Sequence, residues 1–282
     1  MSALLKQVKK ILPPAIATQL RTMRDRRRVQ AALDQARADK SHTGELDVAL
    51  KALAAAAQGE SAADATARGW FERIEARRLD LLRSQRSISI IDYGLDPKHG
   101  PVHRAAPVGE VTQASRSQPW CEFLYHLARA TKPARVLEMG SCVGISASYI
   151  AAALEANGQG QLITLEGDPI LSELTRETLA GLGLSGRAEC VCGPFEETLK
   201  ASLERLQPVD LLFHDGAHEA WCYEQDFATM RPYLGAGAVV VYDDIRWGDT
   251  DTIGTWRKIV ADPSVKASLD CGAIGVFVAA GA

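Results

Sequence analysis

Arg135-Val136-Leu137-Glu138-Met139-Gly140-Ser141-Cys142-Val143-Gly144-Ile145-Ser146 decides the fold, because three kinds of local structure meet within it. Arg135 to Glu138 reads as a short strand entering a parallel sheet, an apolar, β-branched run ahead of a glycine. Gly140 and Gly144 permit a tight turn whose backbone a ligand can approach without Cβ obstruction. From Ile145 the spacing turns helical, with Ile145, Tyr149, Ile150, Ala153 and Leu154 recurring at three- and four-residue steps. Strand, turn and helix N-terminus make a cleft at the carboxyl end of a sheet, where open α/β folds bind ligands. Glu138 sets its character: a carboxylate there repels a pyrophosphate and suits a ligand with a positive amino-acid portion.

Downstream of this stretch the β-α-β-α alternation continues, with short, continuous apolar strands of the kind buried on both faces of a parallel sheet. The predicted strands are Arg135–Glu138, Gln161–Glu166, Ala188–Cys192, Val209–His214 and Ala238–Tyr242; helices are expected near 144–156, 169–182, 195–205, 221–233 and 250–261. Two further apolar runs flank Gly272. Upstream, Gly109 to Ser115 and Pro119 to Ala130 read as helices, and Ser87 to Tyr93 alternates as a strand. The loop after it is expected to carry His99, His103 and Arg104. Residues 1–86 read as a helical extension, separate from a domain at 87–282. In it Pro13-Pro14 breaks a basic segment, 41–44 turns and Ser61 caps a helix. That last helix sets Trp70, Phe71, Ile74, Leu81 and Leu82 near one face and arginines on the other. The extension is expected to act as a lid, to build a homodimer, or both.

The 282 residues carry a net charge of -3, which argues against a nucleic-acid partner. That figure hides an uneven distribution. Residues 1–28 hold eight Lys and Arg against Asp25 alone, +7 locally and -10 over the remainder. The six cysteines show no C-x-x-C pair and no metal-ligand spacing, as expected of reduced structural thiols. No apolar run reaches ~18 residues, so no stable membrane insertion is expected, and without a secretory h-region the expected location is cytoplasmic.

The spacing E-x-G-x-x-x-G-x-S over Glu138, Gly140, Gly144 and Ser146 resembles the first motif of class I S-adenosylmethionine-dependent methyltransferases, in particular the catechol-type and bacterial tailoring O-methyltransferases. The resemblance covers about 115–279. It implies a doubly wound, mostly parallel, seven-stranded Rossmann-like sheet ending in an antiparallel hairpin around Gly272. It also implies S-adenosylmethionine as cofactor and a small-molecule acceptor. Cys142 stands where the dinucleotide fingerprint has glycine, which disfavours an NAD-dependent oxidoreductase. Glu166, about 20 residues beyond the glycine turn, can accept both ribose hydroxyls. Gly193 and Phe195 close the third strand where the resemblance places the adenine. Glu138, Gly140, Ser141, Gly144 and Ser146 complete the expected cofactor set, with Asp215 beside them.

Phe213-His214-Asp215-Gly216-Ala217-His218 and Val241-Tyr242-Asp243-Asp244 end adjacent strands on the same rim as Gly140. Converging carboxylates raise the pKa of one acid or require a cation, and oxygen-only ligands suit Mg2+. The resemblance likewise implies a metal at Asp215, Asp243 and Asp244. His218, three residues beyond Asp215, stands where catechol-type enzymes place a catalytic lysine, and an imidazole can serve as general base. His214 alternates away from Asp215 and is read as packing or hydrogen-bonded. Trp247 lines an acceptor pocket or caps the next helix. A metal-free methyltransferase and a non-catalytic, cofactor-binding scaffold are the remaining alternatives.

Overall fold

The computed structural model describes residues 13–38, 44–59, 64–93, 100–247 and 251–281. The basic residues before Pro13, most of the turn at 41–44, the cap at Ser61 and the loop position of His99 lie outside the described residues.

A seven-stranded sheet in the order β5-β4-β3-β6-β7-β9-β8 forms the centre of the fold. Its strands are β3 (Arg135–Met139), β4 (Gln161–Glu166), β5 (Ala188–Cys192), β6 (Val209–His214), β7 (Leu234–Tyr242), β8 (Val265–Asp270) and β9 (Gly275–Ala279). The first five run parallel; β9 pairs antiparallel with both β7 and β8. The reversal of order falls between β3 and β6, so the loops leaving those two strands diverge and open a crevice at the carboxyl edge.

Alternate residues of each strand enter different cores. Val136, Leu162, Leu211 and Val239 face one apolar cluster; Leu137, Ile163, Leu212 and Val240 face another. Burial on both faces is what makes these strands read as unbroken apolar runs. Between the strands run α6 (Ile145–Asn157), α7 (Pro169–Leu182), α8 (Phe195–Leu206), α9 (Ala220–Met230) and α10 (Thr252–Val260). All five overlap the ranges read from the sequence.

Before the sheet come α1 (Pro14–Ala38), α2 (Asp47–Gln58), α3 (Ala65–Arg83), the short α4 (Val108–Thr112) and α5 (Gln118–Thr131). Val29, Leu33, Leu53 and Phe71 of the helical extension share one apolar cluster with Val136 and Tyr149 of the sheet layer. Phe71 packs edge-on to Tyr125 at 4.9 Å and tilts over Tyr149 at 5.2 Å. A polar link reinforces the contact: Arg26 of α1 pairs with Glu122 of α5 at 2.5 Å, and Glu122 is fully buried.

Two local expectations need correction. His103 and Arg104 are in a strand and not a loop. β1 (Ser87–Asp92) pairs antiparallel with β2 (Val102–Pro107), setting Ile91 opposite His103 and Ile90 opposite Arg104. Alternation in 102–107 is weak because only Ala106 on that strand is buried. Nor do all arginines of α3 face water, since Arg78 is 3% exposed. It lies four residues after Ile74 and three before Leu81, on the apolar stripe, where Glu75 neutralises it at 2.9 Å. The cap of α3 is Asp64, which accepts from the Ala67 amide at 2.8 Å.

Candidate active site

The turn after β3 is built around absent side chains. Gly140 has φ +90°, and a Cβ there would stand 2.5 Å from the Asp215 carbonyl oxygen. Gly144 opens α6 at φ +82°, with the Thr175 backbone and methyl crowding the same space. Cys142 between them also adopts a left-handed φ of 53°. A hydrogen bond from the Asp215 amide to the Met139 carbonyl, 2.9 Å, ties the turn to the end of β6. Gly216 follows at close quarters with Phe195: a Cβ would meet its ring at 2.4 Å.

Glu138 is fully buried at the end of β3. Thr164 donates to its Oε2 at 2.5 Å, and Oε1 has no hydrogen-bond partner. Burial raises its pKa to about 7, against the opposing hydrogen bonds from Ser146 and Thr164. An orphaned buried carboxylate oxygen next to a glycine cradle fits a ligand ammonium, so the residues present suit S-adenosylmethionine. Glu166 ends β4 with its carboxylate held by two backbone amides, Cys142 at 2.7 Å and Asp168 at 3.0 Å. Its pKa, too, is raised to about 7 by burial. Gly193, at φ 143°, donates its amide to the Glu166 carbonyl, which brings the β4 and β5 loops to one wall.

The predicted cofactor residues thus gather along one edge, with a difference in role. The Ser141 hydroxyl turns away to Thr175 at 3.1 Å and is buried, so its side chain builds the turn. Ser146 acts on Glu138. Tyr93 is an addition the sequence reading did not make. It lies at the end of the first hairpin, close enough to Gly167 that a Cβ there would touch its ring at 2.8 Å. The hairpin is fixed by the Ile91 amide donating to Asp168 at 2.7 Å. An aromatic residue in an alternating strand was visible; its reach across to Gly167 was not.

On the other side of the crevice the three aspartates do not assemble as expected. Arg116, from the loop between α4 and α5, places Nη2 against Asp243 and 2.9 Å from Asp244 Oδ1. Asp243 is 1% exposed and also accepts the Asp244 amide at 2.8 Å. Burial raises the pKa of Asp215 to about 8, with Arg116 opposing and Asp244 and Glu138 adding to the rise. Among the described residues no three His, Cys, Asp or Glu side chains stand together closely enough to hold a metal ion. The arrangement therefore does not fit Mg2+ held by Asp215, Asp243 and Asp244. A guanidinium already satisfies the two carboxylates that would bind it.

His218 lies over Trp247, ring centroids 5.1 Å apart, with Nε2 3.9 Å from Asp244 Oδ2 and Nδ1 3.4 Å from the Tyr223 hydroxyl. Tyr223 donates its own proton to the Asp243 carbonyl at 2.5 Å, so toward His218 it acts as acceptor. That favours the tautomer protonated at Nδ1 and leaves the Nε2 lone pair unprotonated. Burial lowers the imidazole pKa to about 4, which keeps it neutral at pH 7. His214 is structural, as its position in the strand suggested. It bonds Asp226 at 2.9 Å and stacks on Tyr242 at 4.7 Å.

Comparison with known proteins gives the family. A methyltransferase-domain family matches residues 137–245. A catechol O-methyltransferase of Mycobacterium tuberculosis is 32% identical over 173 residues, 59% of this chain and 76% of the relative. The chain belongs to the class I S-adenosylmethionine-dependent O-methyltransferases. A catechol O-methyltransferase of Niastella koreensis is 28% identical over 44% of the methyltransferase, which spans 55% of that relative. Among solved structures, the O-methyltransferase TomG of Streptomyces achromogenes, bound to S-adenosylmethionine, matches with TM-score 0.51 and 25% identity over 60% of this chain and 82% of that one. A Podospora anserina methyltransferase, at 17% identity and TM-score 0.53 over 78% of this chain and 89% of that one, shares the fold. No helix among the described residues of the methyltransferase is long and apolar enough to cross a membrane.

Proposed function

We propose that the methyltransferase transfers a methyl group to a hydroxyl of a small-molecule acceptor, with His218 as the proton acceptor. The observation that carries this reading is the half-buried, neutral imidazole just beyond the carboxyl end of β6, with Nδ1 3.4 Å from the Tyr223 hydroxyl and Nε2 3.9 Å from Asp244. S-adenosylmethionine, when bound, supplies a methyl group on an electrophilic sulfonium. Glu138, Glu166 and the turn at Gly140–Gly144 hold and orient the donor. Phe195 and Tyr93 line the side where its base is expected. The acceptor hydroxyl binds on the β6–β7 side, passes its proton to His218 Nε2 and attacks in line with the departing thioether. Asp244, 3.9 Å away, stabilises the imidazolium that forms.

The helical extension, packed on α5 through Arg26 and Glu122, is proposed to cover this acceptor side. Arg21 of α1 is close enough to lower the Asp215 pKa, in part countering burial. The decisive experiment is calorimetric titration with S-adenosylhomocysteine, followed by a screen of catechols, phenols and aliphatic alcohols for methylation. Binding of the demethylated donor with hydroxyl methylation that disappears in His218→Ala is expected. Transfer to amines alone, or equal rates in His218→Ala, would refute the assignment.

A further inference from the structure

The acidic rim contains its own cation, and its placement is not a matter of one flexible surface arginine. Arg116 has a largely buried side chain, 15% exposed. Its carbonyl accepts from Arg78 Nη1 at 2.6 Å. Arg78 is itself buried and paired with Glu75, which accepts from the Tyr149 hydroxyl at 2.9 Å. The loop that presents Arg116 is thus anchored by a buried network running from α3 to α6. At its tip the guanidinium meets Asp243 and Asp244 together.

A single planar cation bonded to two adjacent carboxylates removes the electrostatic need for a divalent ion there. We propose that Arg116 is the resident cation of this rim, holding Asp243 and Asp244 in place of a metal, so that the methyltransferase works without one. Arg116 acts as a positioning residue: it fixes Asp244, and through Asp244 the charge that faces His218. This rests on the methyl-transfer reading above, yet it makes a claim about metal binding that can be tested apart from any acceptor.

The test uses the full chain, freed of metal with a chelator, and follows Mn2+ by electron paramagnetic resonance while S-adenosylhomocysteine binding is measured in EDTA. Wild-type protein is expected to leave the free Mn2+ signal unchanged. Arg116→Ala, and the closer-sized Arg116→Gln should the first fold poorly, are expected to bind Mn2+ at least about a hundredfold more tightly. That is the order set by removing a unit charge a few ångströms away. Arg116→Lys, which keeps the charge, should stay close to wild type. Tight Mn2+ binding by wild type that is lost in Asp243→Asn would overturn the proposal. So would neutral variants that gain no Mn2+ affinity. Failure to bind S-adenosylhomocysteine would strike the donor reading instead, leaving the Mn2+ result to decide the role of Arg116.

Discussion

Replacing Gly140 by alanine tests whether the two halves of the site are braced against each other. Alanine at φ +90° carries a left-handed backbone cost of about 1–2 kcal/mol. Its Cβ would also stand 2.5 Å from the Asp215 carbonyl oxygen, 2.8 Å from the carbonyl carbon and 3.1 Å from Gly216 Cα. These are backbone atoms, so no side chain can rotate aside. The ends of β3 and β6 must part, an overpacking cost of about 1–3 kcal/mol. The sum is about 2–5 kcal/mol, or a fall in Tm of roughly 5–15 °C for a chain of this size. Gly158→Ala is the matched control. It has φ +71° with nothing within 4 Å of the added Cβ, so only the backbone cost of about 1–2 kcal/mol applies. Thermal unfolding followed by circular dichroism compares the two, and calorimetry with S-adenosylhomocysteine reports the turn. Gly140→Ala is expected to melt lower than Gly158→Ala and to bind the ligand more weakly. Equal melting of the two variants with unaltered ligand affinity would refute the reasoning.

Other perturbations separate the remaining roles. Glu138 and Glu166 have pKa values raised by burial to about 7, so the native state holds protons that the unfolded chain has released. Stability of the cofactor-free protein should therefore fall as pH rises from the ordinary glutamate range through about 7, with Asp215 carrying the fall on to about 8, measurable by urea unfolding across pH. Donor affinity should move the opposite way, rising through about pH 7 as Glu138 ionises, and Glu138→Gln should flatten that rise. His218→Ala should lower kcat by about 10²–10⁴-fold while S-adenosylhomocysteine affinity stays unchanged, read from steady-state kinetics beside calorimetry. Arg26→Ala should destabilise the chain by about 3 kcal/mol because it strands the buried Glu122 carboxylate, and Arg26→Ala with Glu122→Gln should recover most of that loss in denaturant titration.

The parallel strands were legible because burial on both faces leaves an uninterrupted apolar signature, and the turn at Gly140–Gly144 because glycine marks positive φ. Glu138 and Glu166 could be placed at strand ends from spacing alone. What spacing does not carry is contact between distant segments. Arg116 precedes Asp243 by more than a hundred residues, and nothing in its surroundings marks it as their partner. The same limit hid Tyr93 beside Gly167. His103 and Arg104 were misplaced because β2 exposes nearly all its side chains, so the alternation that reveals a strand is missing. Arg78 was misread because a charged side chain on an apolar stripe becomes intelligible only once Glu75 and the Arg116 carbonyl are seen around it.

The reversal of strand order between β3 and β6 has an evolutionary corollary. On the proposed reading, the donor-binding groups hang from β3, β4 and β5, whereas the groups facing the acceptor hang from β6, β7 and the helices upstream of the sheet. The two sets meet along the seam where Gly140 abuts Asp215 and Gly216 abuts Phe195. Drift in one set can retarget the methyl group to a new molecule while the apparatus that recognises the donor stays intact, and substitutions at the seam are the ones that would compromise both at once.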